Sequence, residues 1–170
     1  MENSMNAENL LDSKAILRWV QEKMEKLRLP APARPKYKDP EFIIPADPSS
    51  LTTTELGQRM LQTAGWYAYC QRMFGLCESE LVLVDAEFKL KVNIIAYELR
   101  KELGRVNQEA IESIAVAKNK EELSPLYERR LQLTAVKKRL ESQLLIYERV
   151  YQALSREQSR RELEARVSGG

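Results

Sequence analysis

The sequence predicts an all-α protein: a long helical hairpin or bundle with a tethered N-terminal helix, assembling as a homo-oligomer. Three observations favour this fold class. Charged residues make up 31% of the 170-residue chain and glycines number only six, a balance typical of helical proteins. Apolar residues recur at steps of three and four over long stretches. Six of the seven prolines fall within residues 28–50, and none lies within residues 51–124.

Residues 1–27 are predicted to form an N-terminal amphipathic helix, because leucine, valine and methionine side chains recur at helical spacing between charges. Residues 28–50 are predicted to form a semi-rigid, extended linker, since the prolines fix the backbone there. The first helix is therefore either a tethered arm or an element strapped onto a neighbour.

Residues 51–167 are predicted to form the helical core and oligomerisation domain, with a basic C-terminal helix. Thr52 and Glu55 have the spacing of a capping box, which predicts the start of a long helix at this point. A weaker, partly helical segment follows. Ser124 and Pro125 then predict the N-cap and first residue of a final helix.

An apolar seam follows the long helix with a repeat of eleven residues. Such a spacing nearly matches a straight α-helix, so the seam stays on one side of it. We predict that this seam forms the core and oligomer contacts; it consists of Trp66, Cys70, Met73, Cys77, Leu81, Val84, Phe88, Val92, Ile95, Leu99 and Leu103. The aromatic cluster of Trp66, Tyr67 and Tyr69 is interpreted as core or interface rather than as a platform for stacking bases.

A second apolar line lies on another face of the same helix: Tyr69, Leu76, Leu83, Leu90 and Tyr97. A helix that is apolar on two faces must be covered from two sides. Only one other long helix is available for this, so we infer that a neighbouring subunit covers the second face. Burial within a single chain remains the alternative.

Positive charge is concentrated in the last helix, where residues 126–166 hold ten Lys and Arg against six Glu. Arg149, Arg156 and Arg160 follow one another by seven and four residues and so lie on one helix face, with Ser159 beside Arg156 as an extra donor. Arg149 and Arg156 have no acidic residue three or four positions away. Repeated in an oligomer, this face would form a basic track suited to a polyanion. Contact with phosphates and an ordinary solvated surface both remain open.

Catalysis is not predicted, and neither is a cofactor or a metal site. The chain has no histidine, and its only thiols, Cys70 and Cys77, are interpreted as reduced and packed like small apolar residues. Phosphate-binding and nucleophile-elbow motifs do not occur. With no long apolar run and no signal-peptide pattern, we expect a cytoplasmic protein that does not bind membranes.

Three stretches carry a resemblance to a known family: "AGWYAYCQRM" and "ESELVLVDAEFKLK" in the long helix, and "YERVYQALSRE" in the last helix. Together they resemble the phage recombination mediators of the T-even type, which load a recombinase onto single-stranded DNA. The likeness covers roughly two-thirds of the chain, from Thr52 to about Glu164, and leaves out the first helix and the linker.

The resemblance implies a ring-forming helical protein that binds single-stranded DNA and contacts both the recombinase and the single-strand-binding protein. It would act in the host bacterial cytoplasm if it is phage-encoded, with the region around Arg156 on its DNA-binding side. The sequence thus predicts a non-catalytic recombination mediator that helps to load a recombinase in place of single-strand-binding protein. The alternative is a helical structural or adaptor protein, such as a phage scaffold or assembly factor, without DNA binding.

Overall fold

The computed structural model describes residues 13–28, 31–36, 48–103 and 107–168, with the side chains of 98–103 and 108 left out. In these ranges the regular structure is helical throughout, which confirms the all-α fold class. Four α-helices are present: α1 (Ser13–Lys26), α2 (Thr53–Leu103), α3 (Gln108–Lys118) and α4 (Lys120–Ser168). A short 3₁₀ turn, Pro48–Ser50, precedes α2. Most of the predicted linker, and residues 1–12 of the predicted first helix, lie outside the described residues.

The predicted capping box opens α2. The backbone N–H of Glu55 donates to Thr52 Oγ1 at 3.2 Å, and the backbone N–H of Thr52 donates to Glu55 Oε2 at 2.8 Å. These bonds satisfy two donors that the first helical turn leaves without intrahelical acceptors. The Glu55 carboxylate accepts both the backbone N–H and the hydroxyl of Thr52, which also donates to Oε2 at 2.8 Å; these two bonds lower the pKa of Glu55 because they favour its charged form.

The predicted start of the last helix was wrong. Helix α4 begins at Lys120, and Pro125 lies inside it rather than at its first position. The carbonyl of Asn119 accepts the backbone N–H groups of Glu122 and Leu123 at 3.2 and 2.9 Å, so the first turn forms before the proline is reached. Leu123 is fully buried, and its packing in the core offsets the hydrogen bond that the proline ring removes.

The chain divides into two compact units, and α2 and α4 contribute to both. The first unit comprises Met1–Leu29 and Leu76–Lys137. Its core joins three helices and is built from Phe88, Val92 and Ala96 of α2, Ile111 and Ala115 of α3, and Leu123 of α4. Helix α1 belongs to this unit: its first residue, Ser13, is buried and donates its backbone N–H to Glu87 Oε2 at 2.8 Å.

The second unit comprises Pro30–Gly75 and Lys138–Gly170. Two small apolar clusters hold its segments of α2 and α4 together. Leu56 packs with Val150 and Leu154, and Trp66 and Cys70 pack with Tyr147. Residues later in α2 thus pack against residues earlier in α4. The same order holds in the first unit, where Cys77 contacts Leu133 and Lys91 pairs with Glu122, so the two helices pair as an antiparallel hairpin.

The predicted seam is the inner face of α2. Six seam residues are buried: Trp66, Cys70, Cys77, Val84, Phe88 and Val92. Three more are half-buried: Met73, Leu81 and Ile95. The side chains of Leu99 and Leu103 lie outside the described residues. The second apolar line differs, since Leu76 and Leu90 are 44% and 43% exposed. Nothing in the described part of the chain covers these two leucines fully, although Tyr69 packs against the second-unit core.

Both cysteines are free and buried on the seam. The thiol of Cys77 donates to the carbonyl oxygen of Leu133 at 3.4 Å, and that of Cys70 approaches the carbonyl oxygen of Leu140 at 3.9 Å. Burial raises the pKa of both thiols, so they stay protonated near neutral pH. In the described residues no helix has an apolar stretch long enough to cross a membrane.

Candidate nucleic-acid interface

The outward face of α4 in the second unit carries the predicted arginines. Tyr147, Val150 and Leu154 turn inward and are buried, which fixes the rotation of the helix about its axis. Arg149 and Arg156 point to the opposite side and are exposed. Because seven residues complete almost two helical turns, the two arginines lie nearly one above the other, about 10 Å apart along the helix axis.

Arg149 and Arg156 have no charge partner among the residues that the structure describes. Neither side chain forms an ion pair or hydrogen bond with any other residue in the described part of the chain. The residues three and four positions away on the helix are apolar or uncharged, apart from Arg160, which follows Arg156 by four. Both guanidiniums therefore keep all their donors for solvent or for a ligand.

Arg160 shares this face, but its charge is compensated. Its Nε and a terminal nitrogen donate to the two carboxylate oxygens of Glu157, both at 2.8 Å, and a second terminal nitrogen donates to Glu164. The pair raises the pKa of Arg160, and hydrogen bonds from Arg160 and Arg161 lower the pKa of Glu157 to about 2. Of the three predicted phosphate-binding arginines, only Arg149 and Arg156 thus remain uncompensated.

Ser159 is exposed beside Arg156, as predicted, but its hydroxyl proton is used within the helix. Oγ donates to the carbonyl oxygen of Ser155 at 3.1 Å. The hydroxyl oxygen still has a lone pair that can accept a hydrogen bond. As an acceptor it would not attract a phosphate, so Ser159 adds little to an anion site in this rotamer.

Arg161 has a structural role that sequence reasoning missed. Besides Glu157, which lies four residues earlier on the same helix, its guanidinium donates to the carbonyl oxygens of Leu51 and Ser49 at 2.6 and 3.2 Å, and to Thr53 Oγ1 at 3.4 Å. The side chain therefore ties α4 to the beginning of α2. No local pattern signals contacts between residues more than 100 positions apart.

A groove between α2 and α4 lies next to the unpaired arginines. It has a volume of about 390 Å³ and is lined by Thr63, Ala64, Tyr67, Glu148, Tyr151 and Gln152. Tyr67 and Tyr151 are 39% and 42% exposed. The predicted aromatic cluster is thereby split: Trp66 and Tyr69 make an edge-to-face contact in the core with ring centroids 6.1 Å apart, whereas Tyr67 faces outward into the groove.

Three cations of α4 in the first unit are engaged differently. They pair across the hairpin with acidic residues of α2, within the same unit: Arg129 with Glu80, Arg130 with Asp85, and Lys137 with Glu78. These cations contribute to joining the helices and their charges are neutralised locally. The unpaired arginines Arg149 and Arg156 lie on the stretch of α4 that belongs to the second unit.

Among the described residues, no group of three or more histidine, cysteine or acidic side chains converges as a metal site would require. The chain matches no protein-family model, no curated protein and no solved structure. The arrangement of charge and aromatic side chains on the second unit is therefore the main guide to function.

Proposed function

We propose that the protein is a non-catalytic recombination mediator that binds single-stranded DNA and helps to load a recombinase in place of single-strand-binding protein. The DNA-binding role depends on one observation: two exposed guanidiniums, Arg149 and Arg156, are aligned on α4 and have no acidic partner in the described ranges. The mediator role rests on the resemblance of the sequence to phage recombination mediators.

Two physical arguments support a nucleic-acid ligand. A guanidinium without a carboxylate partner has its full charge and donors available, and phosphate oxygens accept such donors in a bidentate manner. Contacts to phosphates carry no base information, so a line of arginines binds any sequence. Binding should therefore be independent of sequence and strongly dependent on salt.

We also propose that the protein acts as a homo-oligomer. In the first unit, Leu76, Leu90 and Ile94 share one face of α2 and are 43–53% exposed. Burial of such side chains between subunits would remove apolar surface from water. An oligomer would repeat the arginine pair in each subunit, and several weak contacts on one strand act with much greater total affinity.

Sedimentation equilibrium tests the oligomer. We expect a Leu76→Glu, Leu90→Glu double variant to dissociate into monomers, because both substitutions place charge in the proposed contact. Val82→Glu is the matched control, since Val82 is 61% exposed on the same helix but lies about 120° around it from Leu76. A wild-type protein that sediments as a monomer would contradict the proposal.

Fluorescence anisotropy tests DNA binding directly. Wild-type protein is titrated into a labelled, mixed-sequence single strand across a salt series, with a duplex of the same length alongside. We expect tighter binding to the single strand and a steep loss of affinity with salt. Absence of binding at low salt would refute the DNA-binding role. A strand-exchange assay with recombinase and single-strand-binding protein then tests loading.

A helical adaptor protein is the second candidate. It is favoured by apolar side chains that are exposed in and just after α1: Trp19 at 50%, Met24 at 51% and, in the turn that follows the helix, Leu27 at 62%. Exposed apolar side chains on a helix are suited to a groove on another protein. An adaptor would elute from a heparin or single-stranded DNA column at low salt, whereas a DNA-binding protein would be retained.

A further inference from the structure

We infer that the groove between α2 and α4 in the second unit is a nucleobase-stacking site, in which Tyr67 and Tyr151 receive bases of a single strand. This inference rests on the proposed function, because the phosphates of the same strand would lie on Arg149 and Arg156. It adds a class of contact, base against aromatic ring, that the arginines alone do not provide.

The position of the groove beside the arginines supports the assignment. Gln152 lines the groove and follows Arg149 by three residues and precedes Arg156 by four. Side chains at those spacings are direct neighbours on a helix surface, with Cβ atoms about 5–6 Å apart. A strand whose phosphates follow the arginine line thus has its bases beside the groove.

The lining of the groove suits bases. Tyr67 and Tyr151 are each partly exposed, one on each helix, and an aromatic face stacks on any base because every base has a π-face. Polar groups also line the groove: Gln152 Nε2 donates to Glu148 Oε1 at 3.3 Å. The remaining donors and acceptors of these two side chains can form hydrogen bonds with the polar edges of a base.

Charge decides which part of a nucleotide enters. Glu148 brings a carboxylate to the groove, which repels phosphates, whereas Arg149 and Arg156 attract them along the adjacent line. The base is uncharged, so the carboxylate of Glu148 does not repel it, and the base is therefore the part of a nucleotide expected in the groove. A purely apolar partner side chain would make no use of the unpaired arginines, which favours a nucleic acid over a protein as the occupant.

Two single strands of equal length and charge test the site, one of thymidine nucleotides and one composed of abasic nucleotides. The full-length wild-type protein should bind the thymidine strand about tenfold more tightly, since stacking on one aromatic ring has an effect of this order. In a Tyr67→Leu, Tyr151→Leu variant the difference should fall below about threefold, with binding of the abasic strand unchanged.

A Tyr67→Phe, Tyr151→Phe variant is the matched control, because it keeps both rings and should keep the preference for bases. The comparison of the two strands with wild-type protein needs no variant, so it tests the stacking site even if a leucine substitution disturbs folding. Equal, salt-dependent binding of both strands by the wild type would overturn the stacking site and leave the proposed DNA binding intact. Failure to bind either strand would overturn both. Loss of the base preference in the phenylalanine variant would also contradict stacking.

Discussion

Replacement of Arg149 and Arg156 by alanine gives the sharpest test of the proposed DNA binding. Both side chains are exposed and form no ion pair or hydrogen bond in the described part of the chain. Their removal therefore breaks no ion pair and no hydrogen bond among the described residues. We expect the free energy of unfolding to change by less than about 0.5 kcal/mol, measured by urea denaturation.

The size of the effect on binding follows from counterion release. Each phosphate that a protein cation neutralises on a single strand contributes about 0.7 to the slope of log affinity against log salt concentration. Two arginines per subunit thus contribute about 1.4. Over a threefold change in salt concentration, the wild type should lose about fivefold more affinity per bound subunit than the double variant.

The matched control removes the same charge from other faces of the helix. Arg139 and Arg166 are also exposed, and they lie about 80° and 100° around α4 from Arg149. An Arg139→Ala, Arg166→Ala variant should keep a salt slope closer to that of the wild type. Anisotropy titrations of one labelled strand at several salt concentrations give the salt slopes of the wild type and of both double variants.

An equal decrease of the salt slope in both double variants would contradict binding through an aligned pair, because net charge would then control binding. A wild-type salt slope in the Arg149→Ala, Arg156→Ala variant would contradict it as well. Unfolding of that variant would show instead that these arginines support the structure, contrary to their exposure.

Three further predictions concern stability. Phe88 is fully buried in the first-unit core, so Phe88→Ala should lower the free energy of unfolding by about 3–5 kcal/mol, and a loss below 1 kcal/mol in urea denaturation would contradict this packing. A Cβ added at Gly57 meets no atom within 4 Å, so Gly57→Ala should stabilise α2 by about 0.5–1 kcal/mol in the same assay. Hydrogen bonds lower the pKa of Glu157 from its ordinary 4.5 to about 2, so its contribution to stability is present above pH 4.5 and is lost as pH falls towards 2. Thermal melts across this pH range should show a smaller decline for Glu157→Gln than for the wild type; identical declines would show that Glu157 is not involved.

Local patterns in the sequence were sufficient to predict the two long helices, apart from the start of α4. The capping box at Thr52 and the eleven-residue seam through Phe88 both depend on spacing along one helix; the structure forms the capping box and buries the seam around Phe88. Such features arise from backbone geometry and from the period of the α-helix, which neighbouring residues determine. The start of α4 could not be placed in this way, because the tertiary burial of Leu123 outweighs the local signal of Pro125.

The candidate site was predicted only in part, for a related reason. Sequence spacing indicated that Arg149, Arg156 and Arg160 share a face, and a helix imposes that alignment. Which arginine charge is neutralised depends on which of the nearby acidic side chains each guanidinium contacts. Arg160 pairs with both Glu157 and Glu164, whereas Arg149 and Arg156 have no acid within reach on the helix.

Local periodicity was therefore enough to predict the long helices other than the start of α4, the buried face of α2 and the alignment of the arginines. The packing of α2 against α4 in the second unit places Arg161 on the start of α2, turns Tyr67 out of the aromatic cluster and brings Tyr151 to the same groove. These contacts join residues far apart in the chain, and they exist only once two helices pack in a particular rotation and register.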